Sequence, residues 1–225
     1  MLSYEIKVEE KVIKNTLYYK NTAVLTYTIR YPKFISNMFQ IFIMKINRFY
    51  RVRSLIYENG HIQRLFDMAK EQYDFTVENE FPFHAYEVVT EYQVTFNQNC
   101  YLSLYTDFYE YTGGAHGITN RKSETWNLVE RKKANLTDFF AINNVKEFLI
   151  RYIVNQIQKE IKGGDNPYFE DYKRLVAESF NQDNFYLSKE GVVLYFGHYE
   201  IAPYASGIRT FTIPYTTEGV IVPRC

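Results

Sequence analysis

The chain of 225 residues lacks a net charge: 26 basic residues offset 26 acidic ones at neutral pH. No net basic field is available to hold phosphates, which excludes a nucleic-acid binder of the usual electrostatic kind. Cysteine is nearly absent. Cys100 lies mid-chain and Cys225 is last, so the pair makes no disulfide framework, and their spacing neither demands nor forbids a bond between them. Histidine is scarce too, with four in all and no HExxH pair. No GxSxG elbow is present, and neither cysteine has a catalytic context, which removes the familiar nucleophile arrangements. Internal repeats, low-complexity tracts and long linkers are missing. So is a long apolar run: FQIFIM at Phe39–Met44 falls far short of the roughly 20 residues a membrane-spanning helix needs, and Lys45 and Arg48 follow it. MLSYEIKVEEKV at the start has no signal-type apolar core, so the chain reads as soluble, with any export signal or anchor lying outside it. What the sequence has in plenty is aromatic side chains, 22 Tyr and 18 Phe. They fit pleated, half-buried strand surfaces, and Tyr also suits ligand-facing surfaces.

Two strands open the chain. Tyr4, Ile6 and Val8 alternate with Glu5, Lys7 and Glu9, and TAVLTYTIRYP continues to Pro32. From Asn37 to Tyr57, Met38, Ile41, Phe42, Ile46, Phe49, Val52 and Ile56 fall at helical spacing, with Ser36 or Asn37 as N-cap. Asn59-Gly60 interrupts before Ile62, Leu65, Phe66, Ala69 and Tyr73 resume, which fits one helix with a weak point or two helices. Three strands of an antiparallel meander follow. Tyr86–Phe96 alternates first, NQNC turns into a run whose tyrosines 101, 105 and 109 share a face, and GGAHG leads to a strand ending near Leu128. That tyrosine face either lies under a helix or is an exposed stripe. Asn144 with Glu147 reads as a capping box before FLIRYIVNQIQKEI, which Gly163-Gly164 ends. Pro167, with Asn166 before it, suits the first residue of a further helix carrying Tyr168, Tyr172, Leu175, Val176 and Phe180. Strands Phe185–Leu187 and Val192–Tyr199 flank the turn SKEG, and RTFTIPY makes the last. Runs of strands and helices without strict βαβ alternation predict an α+β fold with antiparallel sheets. Two closely packed subdomains are expected, residues 1–112 and 113–225.

One constellation invites chemistry. On a strand through residue 199, His198 and Glu200 would point to one face, and His116 of GGAHG would complete a zinc-like His-His-Glu shell. This is the basis of an alternative reading, a metal-dependent or hydrolytic enzyme using His116, His198 and Glu200. The plainer reading makes both histidines hydrogen-bonding turn residues and expects no cofactor and no catalysis. His61 and His84 have no partner in the sequence pattern. GGAHG joins two strands, whereas a phosphate cradle needs a following helix, so its glycines serve a tight hairpin. No pair of acids is singled out for glycan hydrolysis. GHYEIAPYASG, from Gly197 to Gly207, is different. Pro203 has no amide hydrogen and biases Ala202 to extended backbone, so the chain must leave the sheet there. The stiff loop then carries Tyr199 and Tyr204 as preordered aromatic area for a protein or glycan, or Tyr204 folds back to plug the core.

YTGGAHG, LTDFF at Leu136–Phe140, YLSKEGVVLYF, YEIAPYASG and FTIPY together resemble one bacterial family. It is the domain of unknown function in the extracytoplasmic half of the lysozyme-sensing anti-sigma-V factors, with a similar pair of domains beside the catalytic domain of some peptidoglycan deacetylases. The specific motifs begin near Gly113, and the layout before them is similar to the smaller domain that precedes the family domain. The resemblance implies a non-catalytic binding or sensor module. Its partners would be lysozyme, another cell-wall-associated protein or a cell-wall glycan, met through His116, Tyr199, Glu200, Pro203 and Tyr204. In the anti-sigma factors this region binds lysozyme and exposes the factor to proteolysis. The resemblance implies an extracytoplasmic location, whereas the missing signal peptide and membrane helix fit a cytoplasmic one. A purely structural or oligomeric module is the third class.

Overall fold

The computed structural model describes residues 6–164 and 166–225; the expected strand positions Tyr4 and Glu5 lie outside them. In chain order come β1 (Lys7–Tyr19), β2 (Thr22–Ile35), α1 (Gln40–Ile56), a π-helical segment (Tyr57–Ile62), α2 (Gln63–Glu78), β3 (Tyr86–Gln98), β4 (Tyr101–Tyr111) and β5 (Ile118–Asn127). The remainder is β6 (Lys132–Lys133), a 3-10 turn (Leu136–Phe139), α3 (Val145–Lys162), α4 (Tyr172–Ser179), β7 (Phe185–Leu187), β8 (Gly191–Phe196), a second 3-10 turn (Tyr204–Ser206) and β9 (Arg209–Pro214). Strands β1 to β6 pair in sequence order in one sheet, and β7-β8-β9 form another. The fold is α+β, as the sequence predicts. Among the described residues the chain divides into two compact units: Ile6–Tyr92 with Thr106–Asn120, and Gln93–Tyr105 with Arg121–Cys225.

In the first unit, β1 and β2 pair antiparallel along their whole length across Lys20-Asn21. Both turn residues have positive φ, 46° and 64°, the geometry of a two-residue hairpin whose twist matches its strands. β2 then pairs with β3 in parallel, Leu25 opposite Tyr86 through Ile29 opposite Thr90. An all-antiparallel arrangement therefore does not hold. Parallel neighbours need a long crossover, and the helical span from Gln40 to Glu78 supplies it.

That span is one continuous helix with a π segment at Tyr57–Ile62, where Asn59-Gly60 breaks the periodicity. A π segment inserts a residue, shifting the phase of the apolar stripe: Phe42, Ile43, Ile46, Tyr50 and Ser54 are buried before it, Ile62 at its end, and Leu65 and Ala69 after. The helix starts at Gln40, its N-cap position being Phe39 without a side-chain cap bond rather than Ser36 or Asn37. Asn47 docks α1 on β2: its amide accepts from Phe34 N at 2.7 Å and donates to Phe34 O at 2.9 Å, mimicking a strand partner. Tyr50 and Ile46 are fully buried on the same face, each contributing roughly 1.5–3 kcal/mol.

In the second unit, α3 presents Leu149, Ile153 and Ile157 at four-residue spacing, all fully buried against a core that includes Val192, Leu194, Phe211 and Ile213. Every residue of β8 is buried. Gly191 is needed there because a Cβ would lie 2.1 Å from Ile213 O. Ser103 ties β4, β5 and β7 together, its Oγ lying 2.7 Å from Thr125 Oγ1 and accepting from Leu187 N at 2.9 Å. Tyr101 and Tyr105 are half-buried: Tyr101 meets Phe139 of the 3-10 turn edge-on, and Tyr105 lies under the Arg121 guanidinium at 3.6 Å. Of the two helix starts expected in this unit, one holds and one moves. Asn144 does precede α3 but sits at φ 55° and makes no side-chain cap bond; the capping box is Asn135 with Asp138. Pro167 does not begin a helix, and α4 starts at Tyr172, because Pro167 O accepts from Ser206 Oγ and Phe169 N donates to Ile201 O. Cys100 and Cys225 are bonded, joining the β3–β4 turn to the last residue.

Candidate functional site

β8 stops at Phe196, and the chain turns at once. Gly197 N donates to Glu200 Oε2 at 2.7 Å, and Glu200 N donates to Gly197 O at 3.3 Å. This reciprocal pair closes a four-residue turn with Tyr199 in the left-handed region at φ 65°. His198 and Glu200 therefore do not share a strand face, because the two-residue period holds only in extended backbone. Ile201 and Ala202 are buried and plug the core, the role considered above for Tyr204. Pro203 is exposed and precedes the short turn Tyr204–Ser206. Tyr204 is half-buried beneath two rings: His198 stacks on it at 4.6 Å and Tyr199 tilts against it at 5.9 Å. Tyr199, 53% exposed, forms the outer edge of this three-ring ledge.

The ledge has a firm base. Besides the anchors at Pro167 and Phe169, Tyr168 donates to Glu160 Oε2 at 2.5 Å and accepts from Arg209 Nη2 at 2.7 Å, and Arg209 also reaches Glu160 at 3.1 Å. Burial, then the Glu160 carboxylate, push the Tyr168 hydroxyl up to about 12. His198 Nδ1 is buried without a hydrogen-bond partner among the described residues.

Burial also raises the Glu200 carboxyl above its ordinary value, while the Gly197 N–H pulls the other way. Such a carboxyl binds more protons folded than unfolded. Its contribution is fully present below the ordinary carboxyl pKa and is lost as pH rises through the raised value. Glu200→Gln keeps an acceptor for Gly197, and paired thermal melts should show it more stable than the native chain near neutral pH. That advantage should vanish below about pH 4.

His116 lies in the β4–β5 connection, 112–117, with Nδ1 3.1 Å from Gly117 O. Gly113 has φ 89°, and a Cβ at Gly117 would lie 2.4 Å from the Tyr109 ring, so the glycines answer to backbone geometry. His116 belongs to the first unit, whereas His198, Tyr199, Glu200, Pro203 and Tyr204 belong to the second. Among the described residues, no group of three or more His, Cys, Asp or Glu is placed to hold a metal ion.

Sequence reasoning missed a polar cluster on the π segment. Arg64 Nη2 donates to His61 Nδ1 at 2.9 Å, so His61 carries its proton on Nε2 and donates it to Glu110 Oε1 at 2.6 Å. Tyr57 stacks on His61 at 4.8 Å and donates to the same Glu110 oxygen at 2.9 Å. Burial and the Glu110 charge hold the Tyr57 hydroxyl far above its usual range, so it stays a donor. Tyr27 likewise donates to Glu58 at 2.7 Å and is pushed up to about 12, first by burial and then by that carboxylate. The break at Asn59-Gly60 marks the segment in the sequence, but nothing there points to Glu110.

Residues 19–119 match the family model described as Deacetylase PdaC, and residues 137–216 match DUF3298, a protein family of unknown function. No curated protein matches the chain. A solved DUF3298-family protein from Bacteroides fragilis has 18% identity and a TM-score of 0.74, covering 98% of this chain and 95% of its own. A DUF3298-family protein from Pseudomonas aeruginosa PAO1 has 15% identity and a TM-score of 0.61, covering 97% and 95%. At these identities the structures establish the shared fold. The two family matches each span less than half of the chain and show what those two regions are similar to.

Proposed function

We propose that the chain is a non-catalytic binding module of the bacterial cell envelope, recognising lysozyme, another cell-wall-associated protein or a cell-wall glycan through the 197–207 loop. The observation that carries this reading is the ledge of Tyr199, Tyr204 and His198: an exposed tyrosine held at positive φ on two stacked rings. Aromatic area ordered before binding loses little entropy on contact, and Tyr and Trp dominate such contacts in proteins and on sugars alike. Two further observations favour an envelope location. One region matches a model named for a deacetylase. The Cys100–Cys225 bond suits an oxidising compartment.

Calorimetric titration with lysozyme, and separately with soluble peptidoglycan fragments, tests the proposal. At least one probe should bind, and Tyr199→Ala and Tyr204→Ala should each weaken it about tenfold or more, the scale of a binding hot spot. Tyr199→Ala should melt with the native chain, since its side chain is largely in solvent. Undiminished binding by both variants would move the contact elsewhere. Silence from both probes at tens of micromolar would contradict the reading.

A further inference from the structure

The outer face of α1 is the least expected surface of the molecule. A helix packed on one side normally turns charged and polar residues outward. Here Ile41, Met44, Val52 and Ile56 face solvent, with Ile41, Met44 and Ile56 each more than 60% exposed. Lys45, Arg48 and Arg51 are interleaved among them on the same face, and the helix contains no Asp or Glu from end to end. None of the three cations has an ion pair among the described residues. A groove of about 670 Å³ runs along one flank, lined by Arg48, Arg51, Tyr31 and Pro32, and a second of about 460 Å³ shares Arg48 and Val52 on the other flank. In a chain with no net charge this is a segregated cationic and apolar stripe. Over the 17 residues of α1 it extends about 25 Å.

Two occupants fit poorly. A second copy docked by two-fold symmetry would set the face against itself, bringing like charges together without an acid to answer them. Insertion across a bilayer is also excluded for this element, because no helix among the described residues is long and apolar enough to cross a membrane. Cations interleaved with apolar side chains at one level match the boundary between lipid headgroups and acyl chains, where phosphates and hydrocarbon lie within one side chain's reach.

We propose that the outer face of α1 lies on an anionic lipid surface. Ile41, Met44, Val52 and Ile56 enter the headgroup boundary, while Lys45, Arg48 and Arg51 meet lipid phosphates. α1 belongs to the first unit and the aromatic ledge to the second, and the proposal does not depend on the ledge's ligand.

Vesicle co-sedimentation tests it, using phosphatidylglycerol mixed with phosphatidylcholine against phosphatidylcholine alone. The native chain should partition onto the anionic vesicles only, and 0.5 M salt should weaken the association, because screening shortens the attraction to a few ångströms. Each cation is worth about fivefold in partitioning. A Lys45→Gln/Arg48→Gln/Arg51→Gln variant should therefore partition roughly two orders of magnitude more weakly, and Ile41→Ser should also weaken it. All these positions are exposed, so circular-dichroism melts of the variants should overlay the native curve and separate lost binding from lost fold. Equal binding to both vesicle types would overturn the proposal, as would undiminished binding by the triple variant. Failure to sediment with either vesicle would also overturn it, leaving the face to a soluble acidic partner.

Discussion

Breaking the Cys100–Cys225 bond is expected to lower the unfolding free energy by about 2–5 kcal/mol. The bond spans 125 residues, so it removes much of the loop entropy of the unfolded chain. It also fastens the last residue to a strained place, since Asn99 and Cys100 form the two-residue β3–β4 turn at φ 51° and 61°. Other contacts hold the same tail. Asn99 Nδ2 donates to Pro223 O at 3.2 Å, Ile221 N to Phe139 O at 2.9 Å, and Ala141 N to Gly219 O at 2.8 Å. They persist without the sulfur bridge and bring the expected loss toward the lower end of that range. For a chain of this length each kcal/mol moves the melting temperature by about 2–4 °C. The native chain should therefore melt several degrees lower in reductant, while Cys225→Ser should melt at that lower temperature with or without reductant. Identical melts for all four samples would show that the bond adds nothing.

Phe139→Ala should be the most damaging single change, costing about 3–5 kcal/mol. Phe139 is almost wholly buried at the end of the first 3-10 turn, its ring packed against Tyr101 at 5.6 Å and Phe185 at 5.9 Å. Its carbonyl accepts from Ile221, so the same residue supports the C-terminal tail. Truncation leaves a cavity among side chains from three elements whose backbones are pinned by other bonds, and little collapse can fill it. Phe139→Leu keeps most of the volume and should cost less than about 1.5 kcal/mol. Denaturant melts of the two variants, with an unchanged slope and separated midpoints, check the pair.

Phe139 also bears on why the motifs of the sequence were so readable. LTDFF contributes Leu136, Phe139 and Phe140, all buried, and YLSKEGVVLYF contributes Tyr186 and Leu187 of β7 and the fully buried β8 with its tightly packed Gly191. Those segments carry the core, so their residues obey periodicity and steric rules that a sequence displays openly. The α+β class, the helix break at Asn59-Gly60 and the hairpin at GGAHG were legible for the same local reasons. Long-range pairing was not. Nothing near Leu25 or Tyr86 reveals that β2 and β3 run parallel, and nothing near His61 reveals Glu110, far along the chain. Local rules also failed where distant backbone competed. Asn144 and Asn135 both precede an acid by three residues, yet only Asn135 forms the box. Pro167 gives its carbonyl to Ser206 instead of starting a helix. The 197–207 loop was half legible. Pro203 marked a segment outside the sheet, but the strand already ends at Phe196. There the Gly197–Glu200 bond pair, which turns His198 away from a strand face and raises Tyr199 onto the ledge, depends on one side chain's fold-back.

Hydrogen–deuterium exchange with saturating lysozyme, and separately with soluble peptidoglycan fragments, tests the central claim most directly. The ledge reading predicts slowed exchange in the peptide covering 197–207 with the probe that binds, and no such change in Tyr199→Ala. A bound probe that leaves 197–207 unprotected would contradict it.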